Sequence, residues 1–295
     1  MTDWRWGWRC WIAVVGLMGA VVGLRAEAAQ TTETTAQNGL SSKQKTETPT
    51  LGEILQRLQE NLEQYDTGVP SFFCDEHVVS RMVPDVQETV TDSVFRLKRV
   101  VNPDYTTSLA ESREVKTVNG QPAKSQEIGG PSLVSGAFEG GLAVVSLNQT
   151  SCMNYTLERS KRNDAKAPIV VRFASVLTAE NKGGCLLQEN GRGQVYIDRA
   201  TMQITRMELT TPRHTIIPGD RYTSPVVGDW VLSVDYAPVA LEGTSYWMPA
   251  MIDSRTSSGR GSYHTTVWTF VASYRNFHKL EVRSRILPLG EGTAQ

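Results

Sequence analysis

The chain has 295 residues, enough for one large domain or two ordinary ones, and its 40% hydrophobic content suffices for a core. Thirty Lys and Arg against 31 Asp and Glu leave a net charge of −1. There is no basic excess to neutralise phosphates, so nucleic-acid binding is disfavoured.

Residues 1–28 read as a signal peptide. Arg5 and Arg9 form a basic start, Trp11 to Leu24 an apolar run of 14, and Ala26-Glu27-Ala28 the small-x-small pattern cut after Ala28. As a helix that run would reach about 21 Å, short of the roughly 30 Å hydrocarbon core, so the mature chain is not expected to span a membrane, although contact with a membrane surface is compatible with it. Cleavage leaves 27 basic against 29 acidic residues and places the protein in the periplasm or outside the cell. Residues 29–49, rich in Thr, Ser, Gln and Lys and without an aromatic residue, are expected to be a disordered linker.

A helix is predicted next. Thr50 and Glu53 form a capping box, Leu51, Ile54, Leu55, Leu58, Leu62 and Tyr65 recur on one face, and Gly68 with Pro70 stops it. Strands rich in Val, Phe, Thr and Tyr follow at 71–82, 89–101 and 105–118, with Asn119-Gly120 as a tight turn. The apolar spacing of Pro131 to Leu147 predicts a second helix, weakened by Gly136, Gly140 and Gly141.

From Cys152 the pattern is again of strands, at 152–159, 168–176, 192–198, 201–210, 228–241, 245–256, 262–276 and 279–287. A two-residue joint, Arg199-Ala200, divides the third of these from the fourth, and the last two form a final hairpin. Trp230, Leu232, Val234 and Tyr236 alternate with Val231, Ser233 and Asp235, the mark of a half-buried strand. Helices that do not alternate with strands give an α+β class: a single curved antiparallel β-sheet with helices on one face.

Cys74, Cys152 and Cys185 remain after cleavage, an odd number in an oxidising space, and three pairings are open. The hairpin 152–176 carries Val176 back towards Cys152 with Cys185 a short loop beyond, which favours Cys152–Cys185, worth about 3 kcal/mol in the loop-entropy model. Cys74, on an apolar strand, reads as a buried thiol.

Nucleophile-elbow, zinc-protease, dinucleotide-binding and P-loop motifs are missing, and no catalytic residue, metal ligand or cofactor is assigned. His264 and His278 could meet at one end of the last hairpin, but without a third ligand. Of Asp75-Glu76-His77, only Asp75 and His77 share a strand face and could cooperate.

The amphipathic helix, the long meandering strands, the Gly193-Gln-Val-Tyr-Ile-Asp198 and Ile204-Thr-Arg206 pair, Tyr246-Trp-Met-Pro249 and the final hairpin together resemble the bacterial lipoprotein-carrier superfamily, the outer-membrane lipoprotein-sorting type, in its uncharacterised secreted branch. The resemblance covers residues 50–288 and leaves 289–295 as a disordered tail. It implies an incomplete, half β-barrel whose concave face is covered by helices and shelters an acyl chain or a lipoprotein. It also implies an arginine that holds the helical lid, without assigning it to a position in this chain.

The expected hydrophobic groove between sheet and helices is lined by Leu55, Leu58, Leu62, Trp230, Tyr236, Tyr246, Met248, Trp268 and Phe270. The function expected is therefore non-enzymatic binding of a lipid-like or lipoprotein ligand. The alternatives are an envelope sensory or scaffolding module that binds another protein, and a hydrolase with an unrecognised site.

Overall fold

The computed structural model describes residues 49–82, 88–103, 106–124, 137–138, 141–158, 167–216, 226–260 and 263–281. The expected signal peptide, nearly all of the expected linker, and the tail lie outside these residues.

Helix α1 (Leu51–Gly68) begins where its capping signal places it. The Thr50 hydroxyl accepts from the Glu53 backbone N–H at 3.3 Å, and the Glu53 carboxylate accepts from the Thr50 N–H at 2.8 Å. Ile54, Leu55, Leu58, Leu62 and Tyr65 are buried on one face. At about 2 kcal/mol each, that burial far exceeds what intrinsic helix propensity supplies.

The strands are β1 (Phe72–Met82), β2 (Glu88–Val101), β3 (Thr107–Val118), β4 (Gln121–Pro122), β5 (Met153–Leu157), β6 (Ile169–Ser175), β7 (Arg192–Ile197), β8 (Ile204–Ile216), β9 (Val226–Leu241), β10 (Thr244–Arg260) and β11 (Tyr263–Lys279). They form one sheet in the order β4-β3-β2-β1-β11-β10-β9-β8-β7-β6-β5, with every neighbouring pair antiparallel. Two meanders, β1–β4 and β5–β11, are thus joined by the pairing of β1 with β11. The sheet is open, with β4 and β5 at its edges, and α1 is the one α-helix among the described residues. Asn119-Gly120 and Glu242-Gly243, all at positive φ, close two of the hairpins.

Four expectations are corrected. The break expected between 276 and 279 is absent, because β11 runs unbroken to Lys279, which pairs with Phe72. Asn276, at φ 56°, is accommodated where the register shifts between Phe73 and Asp75, and its amide donates to the Asp75 carboxylate at 2.7 Å. A residue that tolerates the left-handed region has been used for a bulge in a strand rather than for a turn. Residues 282–287 lie outside the described residues.

The joint before β8 is longer than two residues. The Asp198 carboxylate accepts from the N–H groups of Ala200 and Thr201 and from the Thr201 hydroxyl, and Met202 sits at φ 54°, so β8 starts at Ile204. That strand also continues past Pro212, where Arg213 at φ 58° lies in a register shift. In the described part of 131–147, Gly141–Val144 forms a single 3₁₀ turn, with a second at Leu147–Gln149, in place of the expected helix. Glycine raises the entropy cost of a continuous α-helix there.

Cys152 and Cys185 are joined by a disulfide with Cα atoms 5.5 Å apart. Cys74 is a buried free thiol whose pKa is raised by burial and by the neighbouring carboxylates of Glu76 and Asp75, which makes it a poor nucleophile.

Candidate functional site

Strand register decides which side chains share the inner face. Three rows cross the middle of the sheet: Thr211, Trp230, Thr256 and Trp268; Leu209, Leu232, Ser254, Phe270 and Ser80; and Met207, Val234, Ile252, Ala272 and Val78. Eight of the nine expected groove residues, all but Leu62, belong to one hydrophobic cluster or pack against it. Leu55, Leu58 and Leu62 are buried on α1, Tyr236, Met248 and Phe270 are buried on the strands, and Trp230, Tyr246 and Trp268 are partly buried.

The two ends of this interior differ. Towards the C-terminus of α1, the Tyr246 hydroxyl donates to the Gly68 carbonyl at 2.7 Å, and its ring meets Tyr65 edge-on at 6.5 Å. In the Trp230–Thr256–Trp268 row the face is aromatic but hydroxyl-bearing, and the Trp230 indole donates to Ser254 Oγ at 2.6 Å. Met248 and Phe270 have no exposed area, so they are packed core in this conformation rather than walls of an open channel.

Two features were missed from the sequence. The first is Arg99 on β2, which holds the end of α1: its guanidinium donates to the Asp66 carbonyl at 2.7 Å and to the Val69 carbonyl at 2.7 and 3.3 Å. Carbonyls that have no partner within the helix are satisfied there by a cation, at the negative end of the helix dipole.

The second is a buried ionic cluster. Glu76 on β1, its side chain fully buried, accepts from Arg113 Nε at 2.8 and 3.0 Å, and Glu111 lies 3.8 Å from the same guanidinium. Arg113 also sits 4.9 Å above the Phe95 ring. Burial alone would lower the Arg113 pKa, but Glu76, Tyr274 and Glu111 outweigh it and hold it above the usual value. Burial, and then the Glu76 charge, push the Tyr274 phenol well up. Glu111 accepts from the Phe138 backbone N–H at 3.1 Å, and the Phe138 ring packs on Phe95, Tyr274 and Phe72 with centroids 4.5, 4.9 and 5.8 Å away. The available signal was parity: Phe72, Cys74, Glu76, Val78 and Ser80 alternate on the buried side of β1, which sends a carboxylate inward.

On the outer face, His77 is not paired with Asp75 as the sequence suggested. Its Nδ1 is 2.7 Å from Asp92 Oδ1 across the β1–β2 pair, while Thr117 donates to Asp92 Oδ2 at 2.8 Å. Ser273 stands opposite His77 on β11. Serine, histidine and aspartate are the types an acyl-transfer centre uses, but His77, Asp92 and Ser273 line neither cavity described below. His264 and His278 lie 14 residues apart on one strand, opposite Gly259 and Phe73, and at roughly 3.3 Å per residue they cannot meet. Among the described residues no group of three or more His, Cys, Asp or Glu could hold a metal ion.

One cavity of about 440 Å³ lies over β5–β8, lined in part by Thr156, Arg172, Arg192, Gln194 and Glu208. Another, of about 290 Å³, lies between the last turns of α1 and the start of β10. Of the nine expected groove residues, only Tyr246 lines either one.

No protein-family model and no curated protein matches the chain. Among solved structures it is similar to a LolA superfamily protein of Nitrosomonas europaea at 12% identity and TM-score 0.36, covering 78% of this chain and 94% of that one. It is similar to a DUF1329 family protein of Desulfovibrio piger at 11% identity and TM-score 0.39, covering 78% and 92%. An outer-membrane lipoprotein-sorting protein domain of Vibrio parahaemolyticus matches at 13% identity and TM-score 0.37, covering 77% and 92%. Likeness at that level says nothing of a ligand.

Proposed function

We propose that the protein is exported after removal of residues 1–28, and that residues 50–288 act as a non-enzymatic half barrel that takes up an acyl chain or lipoprotein lipid between the sheet and α1. The carrying observation is the build of the interior. An open antiparallel sheet and α1 share one hydrophobic cluster, and α1 is tied down by the polar contacts of Arg99, Tyr246 and Asn61. The Cys152–Cys185 disulfide fits an oxidising compartment, and no helix among the described residues is long and apolar enough to cross a membrane.

Since the groove side chains are packed together here, uptake requires α1 to yield, and each methylene then buried contributes about 0.8 kcal/mol. Titration with a fluorescent fatty acid, beside native mass spectrometry of protein recovered from cell envelopes, tests this. Saturable uptake that becomes faster in Tyr246→Phe is the expected result. No bound lipid and no uptake in either protein would overturn it.

A hydrolase centred on His77, Asp92 and Ser273 is the second reading, favoured by their common row on the outer face. Ester hydrolysis abolished by His77→Ala would establish it, and an inactive wild type would remove it.

A further inference from the structure

We propose that the cavity at the C-terminal end of α1 is a binding site for a neutral sugar ring. None of the eleven described residues lining it is charged, although 21% of the chain is. A charged ligand would therefore lose its hydration there without gaining a counter-charge. A purely apolar ligand fits no better, because it would strip water from the amides of Gln64 and Gln203 and the hydroxyls of Thr244 and Ser245 without replacing it.

Those four polar groups make no side-chain hydrogen bond to another described residue. By contrast, the Asn61 amide is committed to the Met202 carbonyl at 2.7 Å and the Tyr246 hydroxyl to Gly68. The second set ties helix, turn and strand together, and the first lines the cavity, with Gln64, Thr244 and Ser245 exposed and Gln203 half-buried. Trp247 and Tyr246 supply aromatic surface in the same space. A pyranose ring offers what this lining asks for: a C–H face to lie on an aromatic ring, and hydroxyls that both donate to and accept from primary amides. A volume of about 290 Å³ lies at the small end for ligand pockets, which suits one ring or two rather than a long glycan.

The ring could belong to a soluble saccharide or to the head group of a glycolipid, and two arms separate these. In the first, saturation-transfer NMR of the full chain with maltose, lactose and N,N′-diacetylchitobiose should show transfer to ring C–H protons for at least one of them. Gln64→Ala, at an exposed helical position, should weaken binding about 2- to 10-fold, the range of one neutral hydrogen bond. Ser245→Trp, which fills the cavity from an exposed position, should abolish it.

In the second arm, flotation with phosphatidylcholine vesicles with and without monoglucosyl diacylglycerol reads head-group recognition. Binding in either arm that is lost in Ser245→Trp supports the site. No saccharide transfer together with no preference for glycolipid vesicles overturns it, as does binding that Ser245→Trp leaves unchanged. Fatty-acid uptake should be the same in Gln64→Ala and wild type, which keeps this site separate from the acyl-chain reading.

Discussion

Replacing Arg113 with methionine tests the buried ionic cluster directly. The Glu76 side chain is wholly buried and Arg113 is 10% exposed, with Nε 2.8 Å from one carboxylate oxygen. Methionine keeps much of the side-chain volume and the contact with Phe95 but removes the cation, leaving the Glu76 carboxylate without its charge partner and Glu111 nearby with the same sign. Breaking a buried pair from one side costs about 3–5 kcal/mol. For a domain of this size, each kcal/mol moves Tm by about 2–4 °C, so a fall of about 10 °C is expected. Urea unfolding followed by circular dichroism gives the free energy. The decisive comparison is Glu76→Leu with Arg113→Met, which removes both charges and should recover at least half of the loss, because an apolar pair carries no desolvation penalty. A loss below about 1 kcal/mol for Arg113→Met, or a double variant as unstable as the sum of the singles, would refute the assignment of the destabilisation to an orphaned buried charge.

Reducing the disulfide, or making Cys152→Ser with Cys185→Ser, should cost about 3.5–4 kcal/mol for a bridge spanning 33 residues, read as a lower urea midpoint. Hydrogen bonds from His77 and then Thr117 hold the Asp92 carboxyl below the ordinary value of 3.8. Its contribution to stability is therefore present above about pH 4 and lost as the pH falls through the folded-state value, and His77→Ala should raise the Asp92 titration midpoint in carboxyl NMR. With half of the Asp92 side chain exposed, that contribution stays below about 1 kcal/mol. Gly193→Ala should destabilise by about 3 kcal/mol or more in thermal unfolding, since its Cβ would lie 1.9 Å from the Glu208 carbonyl oxygen and 2.6 Å from the Phe173 ring, and the backbone contact cannot move cheaply. Thr50→Ala removes the helix cap and should cost about 1 kcal/mol in the same assay.

Local chemistry made much of the fold readable from the chain alone. The capping box of α1 lies within four residues, so sequence order places both partners. The alternation in β9 required no knowledge of its neighbours, and Leu232, Val234 and Tyr236 are indeed buried. Asn119-Gly120 closes a hairpin for the same reason. The break expected after residue 276 did not form: Asn276, at positive φ, is of a residue type that suits a turn or a bulge, and only the pairing of β11 with β1 selected the bulge.

The site divides along the same line. By itself the sequence determined which residues are apolar, where the helix starts, and the period of each strand, because these depend on contacts a few residues long. Pairing across the sheet decided the rest. Glu76 met Arg113 because β2 and then β3 fold back beside β1, Arg99 reached the end of α1 because β2 ends beside it, and the uncharged cavity exists because β10 begins there too. A charge 37 residues from its partner carries no local signature, and burial, which gives such a pair its energy, arises only once distant strands have come together.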